Sequence, residues 1–130
     1  MITNFEETTY ELTEQEQRIV PDICEGFRKY TKDNPIKSDE IVSRINANKE
    51  RLGITFTMTG VRLRKICNYI RTQGMIPLIA TSNGYYVDYS EDALILQIRS
   101  LKERASSIMR CAVGLEKILN EDVLKQPQTH

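Results

Sequence analysis

The sequence predicts an α+β fold, mainly α, in which three short helices and a two-stranded hairpin are followed by one long helix. Three observations predict it. Apolar residues recur at three- and four-residue spacing in three successive segments before Gly74. After Gly74 the helical period ends, and Asn83-Gly84 between two short apolar runs marks a hairpin. Beyond Ser90 a helical apolar register continues without a break as far as Leu119. The expected divisions are an N-terminal arm (1–12), a compact domain (13–89), a long helix (90–120) and a flexible polar tail (121–130).

The first helix is expected to start at Thr13. Thr13 and Glu16 have the spacing of a capping box, in which each side chain takes up a free backbone N–H of the other residue. Ile19, Ile23, Phe27 and Tyr30 then share one face. Pro21 either kinks this helix or marks its true first turn, because it has no N–H to donate. Lys32-Asp33-Asn34-Pro35 reads as a turn. Ser38-Asp39-Glu40 opens the second helix with a serine cap and two acids at the positive end of its dipole. Ile41, Val42 and Ile45 face inward, and the helix fades towards Gly53. Ile36, just ahead of it, is expected to form a single short strand against the hairpin.

Thr59-Gly60 opens the third helix, which stops at Gly74. Leu63, Ile66, Cys67 and Ile70 form its buried stripe. Val61, Arg62, Lys65, Asn68, Tyr69 and Thr72 are expected on the opposite face, with Arg64 and Arg71 together on one flank. Ile76–Thr81 and Tyr85–Tyr89 are the hairpin strands around Ser82-Asn83-Gly84, where Asn-Gly tolerates positive φ. Pro77 suits a sheet edge. In the long helix Leu94, Ile98, Leu101, Ala105, Ile108, Ala112, Leu115 and Leu119 are spaced alternately by four and three, a coiled-coil seam. That seam is expected to bind a second copy of the chain.

Composition narrows the function classes. With 40 % hydrophobic and 28 % charged residues, the chain fits a soluble globular protein. No apolar run approaches the ~20 residues that span a bilayer, and the start MITNFEETTYEL lacks the basic and apolar parts of a signal peptide. A cytoplasmic protein with no membrane partner is expected. Cys24, Cys67 and Cys111 are far apart with no CxxC, and the one histidine is His130, so no metal site is expected and the cysteines read as structural apolar residues. No phosphate-binding glycine loop, G-x-S-x-G or internal histidine base is present. Neither an enzyme nor a cofactor is expected.

The net charge is zero but unevenly spread. Residues 1–36 carry four basic and eight acidic groups, residues 37–89 the reverse, and residues 90–130 six of each. From Arg51 to Val87 there are five basic groups and no acid. Because fields are felt within a Debye length of ~8–10 Å, a neutral chain can still present a positive face.

Helix, helix, helix, hairpin is the order of a winged helix-turn-helix, which lays its third helix in the DNA major groove with the wing on the backbone beside it. Double-stranded DNA is therefore the expected partner. The expected contacts are Arg62, Lys65, Asn68, Tyr69, Thr72, Arg64 and Arg71 on the third helix, Lys37 ahead of the second, and Ser82 and Asn83 on the wing. The alternative is a protein-interaction adaptor of the same fold that binds a host or phage protein instead of DNA.

Thr59-Gly60-Val61-Arg62-Leu63-Arg64-Lys65-Ile66 with Asn68-Tyr69-Ile70-Arg71, followed by Pro77-Leu78-Ile79-Ala80-Thr81-Ser82-Asn83-Gly84-Tyr85-Tyr86, resembles small winged-helix proteins encoded by bacterial phages and prophages. In that group a T-G-x-x-L-R-K-I-x-N-x-I-R helix runs into an I-A-T/S-S-x-G-Y-Y wing. Tyr10-Glu11-Leu12-Thr13 and Ser100-Leu101-Lys102-Glu103-Arg104 extend the resemblance over about residues 10–110. It implies a phage-type DNA-binding regulator or replication accessory protein, and names no target sequence.

Overall fold

A computed structural model describes residues 11–121. Most of the expected arm (residues 1–10) and of the expected tail (residues 122–130) lies outside the described residues, as does His130.

Helix α1 (Glu14–Phe27) begins as the spacing of Thr13 and Glu16 requires. Thr13 Oγ1 accepts the Glu16 N–H at 3.2 Å, and Glu16 Oε1 accepts the Thr13 N–H at 2.8 Å. The helix runs through Pro21, which lies on its exposed side, so Pro21 is an interior residue and not a first-turn one. Helix α2 (Ser38–Ala47) has Lys37 at its N-cap with no side-chain cap bond, so the expected serine cap is absent and Ser38 is already helical. Asp39 and Glu40 do sit in its first turn, where they favour the dipole. One further turn, α3 (Lys49–Leu52), leads to Gly53.

The connector from Gly53 to Thr59 is held by two side-chain amides. Asn46 accepts the Met58 N–H at 2.8 Å and donates to the Met58 carbonyl at 3.1 Å. Gln15 does the equivalent for Thr55, accepting its N–H at 2.9 Å and donating to its hydroxyl at 3.0 Å. These bonds fix where helix α4 (Gly60–Thr72) starts, and Thr59 caps it by accepting the Arg62 N–H at 3.1 Å. The helix stops as expected at Gly74, whose φ of +62° lets the Met75 N–H turn back to the Ile70 carbonyl at 3.1 Å.

Strands β1 (Leu78–Thr81) and β2 (Gly84–Val87) pair antiparallel, Leu78 opposite Val87 and Thr81 opposite Gly84, leaving Ser82-Asn83 as the loop. The expected left-handed backbone at both Asn83 and Gly84 is only half present. No non-glycine residue has positive φ, and Gly84 alone carries it, at +128°. The Thr81 hydroxyl closes the loop instead, accepting the Asn83 N–H and donating to the Gly84 carbonyl, each at 3.1 Å. Ile36 bridges to Tyr85 through reciprocal backbone bonds of 2.9 and 2.8 Å, as expected for a single short strand.

These elements enclose one core. Ile19, Val20, Ile23 and Phe27 of α1 meet Ile41 and Ile45 of α2, and Leu63, Ile66 and Ile70 of α4 are wholly buried among them. Leu78 and Val87 close it on the hairpin side. Burying each such leucine or isoleucine contributes roughly 1.5–3 kcal/mol, so this cluster outweighs any surface pair in holding α4 in place.

Helix α5 (Glu91–Asn120) forms a second unit, separate from residues 1–90. Its 30 residues make a rod about 45 Å long with no buried residue. The molecule is thus α+β and mostly helical, with a single two-stranded sheet and a long C-terminal helix. Among the described residues, no helix is long and apolar enough to cross a membrane.

Candidate nucleic-acid interface

Helix α4 is divided lengthwise by its neighbours. Its apolar stripe of Leu63, Ile66, Cys67 and Ile70 is buried as expected. The rest of its surface separates into a part packed towards α1 and a part in solvent, and the expected contact residues fall on both.

Arg62 and Lys65 lie on the packed part, contrary to expectation. Both reach Glu16 of α1, whose side chain is completely buried. Lys65 Nζ is 2.8 Å from Oε1, and Arg62 Nη1 is 3.1 Å from Oε2. The second contact is an ion pair without hydrogen-bond alignment, so Oε2 has a charge partner but no aligned donor. The Lys65 side chain is only 18 % exposed and that of Arg62 32 %. The Arg62 guanidinium also lies over the Phe56 ring, 4.2 Å from its centroid. These two cations fasten α4 to α1 and have half their joint charge cancelled there. Tyr69 is likewise half-buried and packs partly on the core.

The solvent part carries Val61, Arg64, Asn68 and Thr72, all exposed and one above another at helical spacing. Arg71 is half-buried beside them. Arg64 and Arg71 each slightly oppose the rise of the Tyr85 hydroxyl of β2, so both lie on the side of α4 near that strand. Ser82 and Asn83 are exposed at the hairpin tip. Lys37 is exposed and follows Ile36, whose backbone lies against Gly84. Chain segments far apart in sequence therefore bring Lys37, the hairpin tip and the α4 flank to one side of the domain. The stretch from Arg51 to Val87 contributes no carboxylate to that side, whereas Asp39 and Glu40 stand exposed in the first turn of α2 next to Lys37.

Burial of Glu16 escaped the sequence reading, although a signal was present. Glu16 stands three residues before Ile19 and seven before Ile23, within the apolar stripe of α1, where a carboxylate needs an internal partner.

Of the three cysteines, Cys24 and Cys67 are buried as expected of apolar structural residues, whereas Cys111 on α5 is exposed. Burial pushes the Cys67 thiol up to about 12, and burial together with neighbouring Cys67 pushes the Tyr85 hydroxyl up to about 12. Burial raises Cys24 as well, against a smaller opposing effect of Arg28. Both buried thiols are therefore protonated at neutral pH and lack the thiolate that nucleophilic chemistry requires. Among the described residues no group of three or more His, Cys, Asp or Glu side chains is placed to hold a metal ion. A separate open cleft of about 420 Å³ lies between α1 and α2, floored by Ile23, Phe27, Ile41 and Ile45 and edged by Arg44 and Asn48.

No protein-family model, curated protein or solved structure matches this chain.

Proposed function

We propose that this chain is a cytoplasmic duplex-DNA-binding protein of winged helix-turn-helix type, a phage-type regulator or replication accessory factor that acts as a dimer. The observation that carries the reading is the exposed row Arg64, Asn68 and Thr72 on α4, flanked by Arg71, Lys37 and the Ser82-Asn83 tip. An α-helix fits the major groove, about 12 Å wide. Arg64 has the donor fork for guanine, Asn68 the paired donor and acceptor for adenine, and Thr72 a hydroxyl for either a base or a phosphate. Lys37, Ser82 and Asn83 are suited to the sugar–phosphate backbone, which positions the protein without reading sequence. Arg62 and Lys65 serve this interface indirectly, by holding α4 against Glu16.

The test is binding of the full chain to an arbitrary duplex across a salt series. Phosphate contacts release counterions, so log K falls linearly with log salt by roughly 0.9 per phosphate neutralised. A steep fall is expected, and Arg64→Ala should flatten it by about one unit or cost ~1–3 kcal/mol at a specific site. Salt-independent or absent binding would contradict the reading. One observation favours the adaptor alternative in that event: the open cleft between α1 and α2 has an apolar floor and a charged rim that includes Asp22, Glu25, Lys29, Arg44 and Arg51.

A further inference from the structure

Helix α5 presents its seam to solvent. Ile98, Leu101, Ile108, Leu115 and Leu119 are between 39 and 70 % exposed, and nothing on α5 is buried. We propose that a second copy of this chain covers it, with the two α5 helices antiparallel and crossing near Arg110. This rests on the reading of the chain as a dimer, and adds the direction and register of pairing.

Side-chain size favours the antiparallel direction. In a parallel, in-register pair each seam residue meets its own copy, so Ala105 would face the partner's Ala105 and Ala112 the partner's Ala112. Two of the layers would be underpacked, and core layers that leave voids are unstable. In an antiparallel pair whose facing residue numbers add to 220, Ala105 faces the partner's Leu115, Ala112 the partner's Ile108, and Leu101 the partner's Leu119. Every alanine is then filled by a large residue, and every large residue near the centre has room.

Charge selects the register. The positions beside the seam are Ile95, Lys102, Met109 and Glu116 on one flank and Gln97, Arg104, Cys111 and Ile118 on the other. In antiparallel pairs like flanks meet. With the centre near Arg110, Lys102 of each copy meets the partner's Glu116, giving two symmetric opposite-charge pairs. Between them Met109 meets the partner's Met109, and Cys111 the partner's Cys111, so the middle of the interface is apolar. Sliding by one heptad towards the N-terminus sets Lys102 against the partner's Lys102 and Arg104 against the partner's Arg104. The register between these two, with facing numbers that add to 213, fills the alanine layers but makes no opposite-charge pair, and neither does the parallel arrangement.

A charge exchange on the full chain tests this. Lys102 and Glu116 are 14 residues apart on α5, about 21 Å, too far to interact within one helix. Lys102→Glu alone and Glu116→Lys alone should each weaken dimerisation by about tenfold, read by sedimentation equilibrium, since each turns two attractions into two repulsions. Lys102→Glu combined with Glu116→Lys should restore the wild-type dimer. A wild-type mass near 15.0 kDa at tens of micromolar overturns both the dimer and this pairing. A wild-type dimer in which the combined variant is no better than the single ones overturns the antiparallel register alone.

Discussion

Glu16→Ala is expected to lower the unfolding free energy by roughly 3 kcal/mol, the scale for stripping one partner from a buried ion pair. Its carboxylate is fully buried, accepts the Thr13 N–H and is ion-paired with Lys65 and Arg62. Removing it leaves Lys65, with little access to water, without its counter-charge. It also leaves the first turn of α1 with an uncapped N–H. Glu16→Gln separates the two effects, because a glutamine oxygen can still accept the Thr13 N–H while the charge is gone. Most of the loss should persist in Glu16→Gln if the ion pairs dominate. Glu25→Ala removes a carboxylate that pairs with Arg28 at 2.7 Å in solvent, and should leave the urea midpoint unchanged. Equal midpoints for Glu16→Ala and Glu25→Ala would mean that the buried cluster contributes nothing.

Gly84→Ala is expected to be as damaging, for a reason of space. A Cβ at Gly84 would stand 2.5 Å from the Ile36 carbonyl oxygen and 2.8 Å from its carbon, both backbone atoms that no rotamer change can move. The φ of +128° is also one that L-residues rarely adopt. Strain and overpacking together amount to roughly 2–4 kcal/mol. In a domain of this size that lowers Tm by about 10–20 °C. Gly74→Ala is the control. Gly74 has φ +62° but open space around it, so the cost should stay near the ~1–2 kcal/mol of a left-handed residue. If both variants melt together, contact with Ile36 is not what requires glycine at position 84.

How far the sequence could be read depended on whether the signal was local. The capping box at Thr13 and Glu16, the Thr59 cap and the stop at Gly74 are set by residues within one or two helical turns, and all stand where spacing puts them. The pairing of Ile36 with the hairpin was also legible, because a winged domain often sets a single short strand ahead of its second helix against the wing. The partition of α4 was not. A helical wheel separates apolar from polar, and by that measure Arg62, Lys65 and Asn68 look alike. What distinguishes them is α1, a neighbour about 46 residues earlier in the chain, which buries an acid opposite two of them. The hairpin loop differs from its sequence signal for a similar reason. Asn-Gly suggests left-handed geometry at both residues, whereas the backbone of Ile36 decides that only position 84 must be glycine.

On the proposed reading the outward row of α4, and not its basic content as a whole, meets DNA. Amide shift mapping by NMR on titrating the chain with a short duplex tests it most directly. Perturbations are expected to centre on Arg64, Asn68, Thr72, Ser82, Asn83 and Lys37, while Ile41 and Ile45 at the α1–α2 cleft stay in place. Perturbations confined to that cleft or to α5, or none at all at low salt, would contradict it.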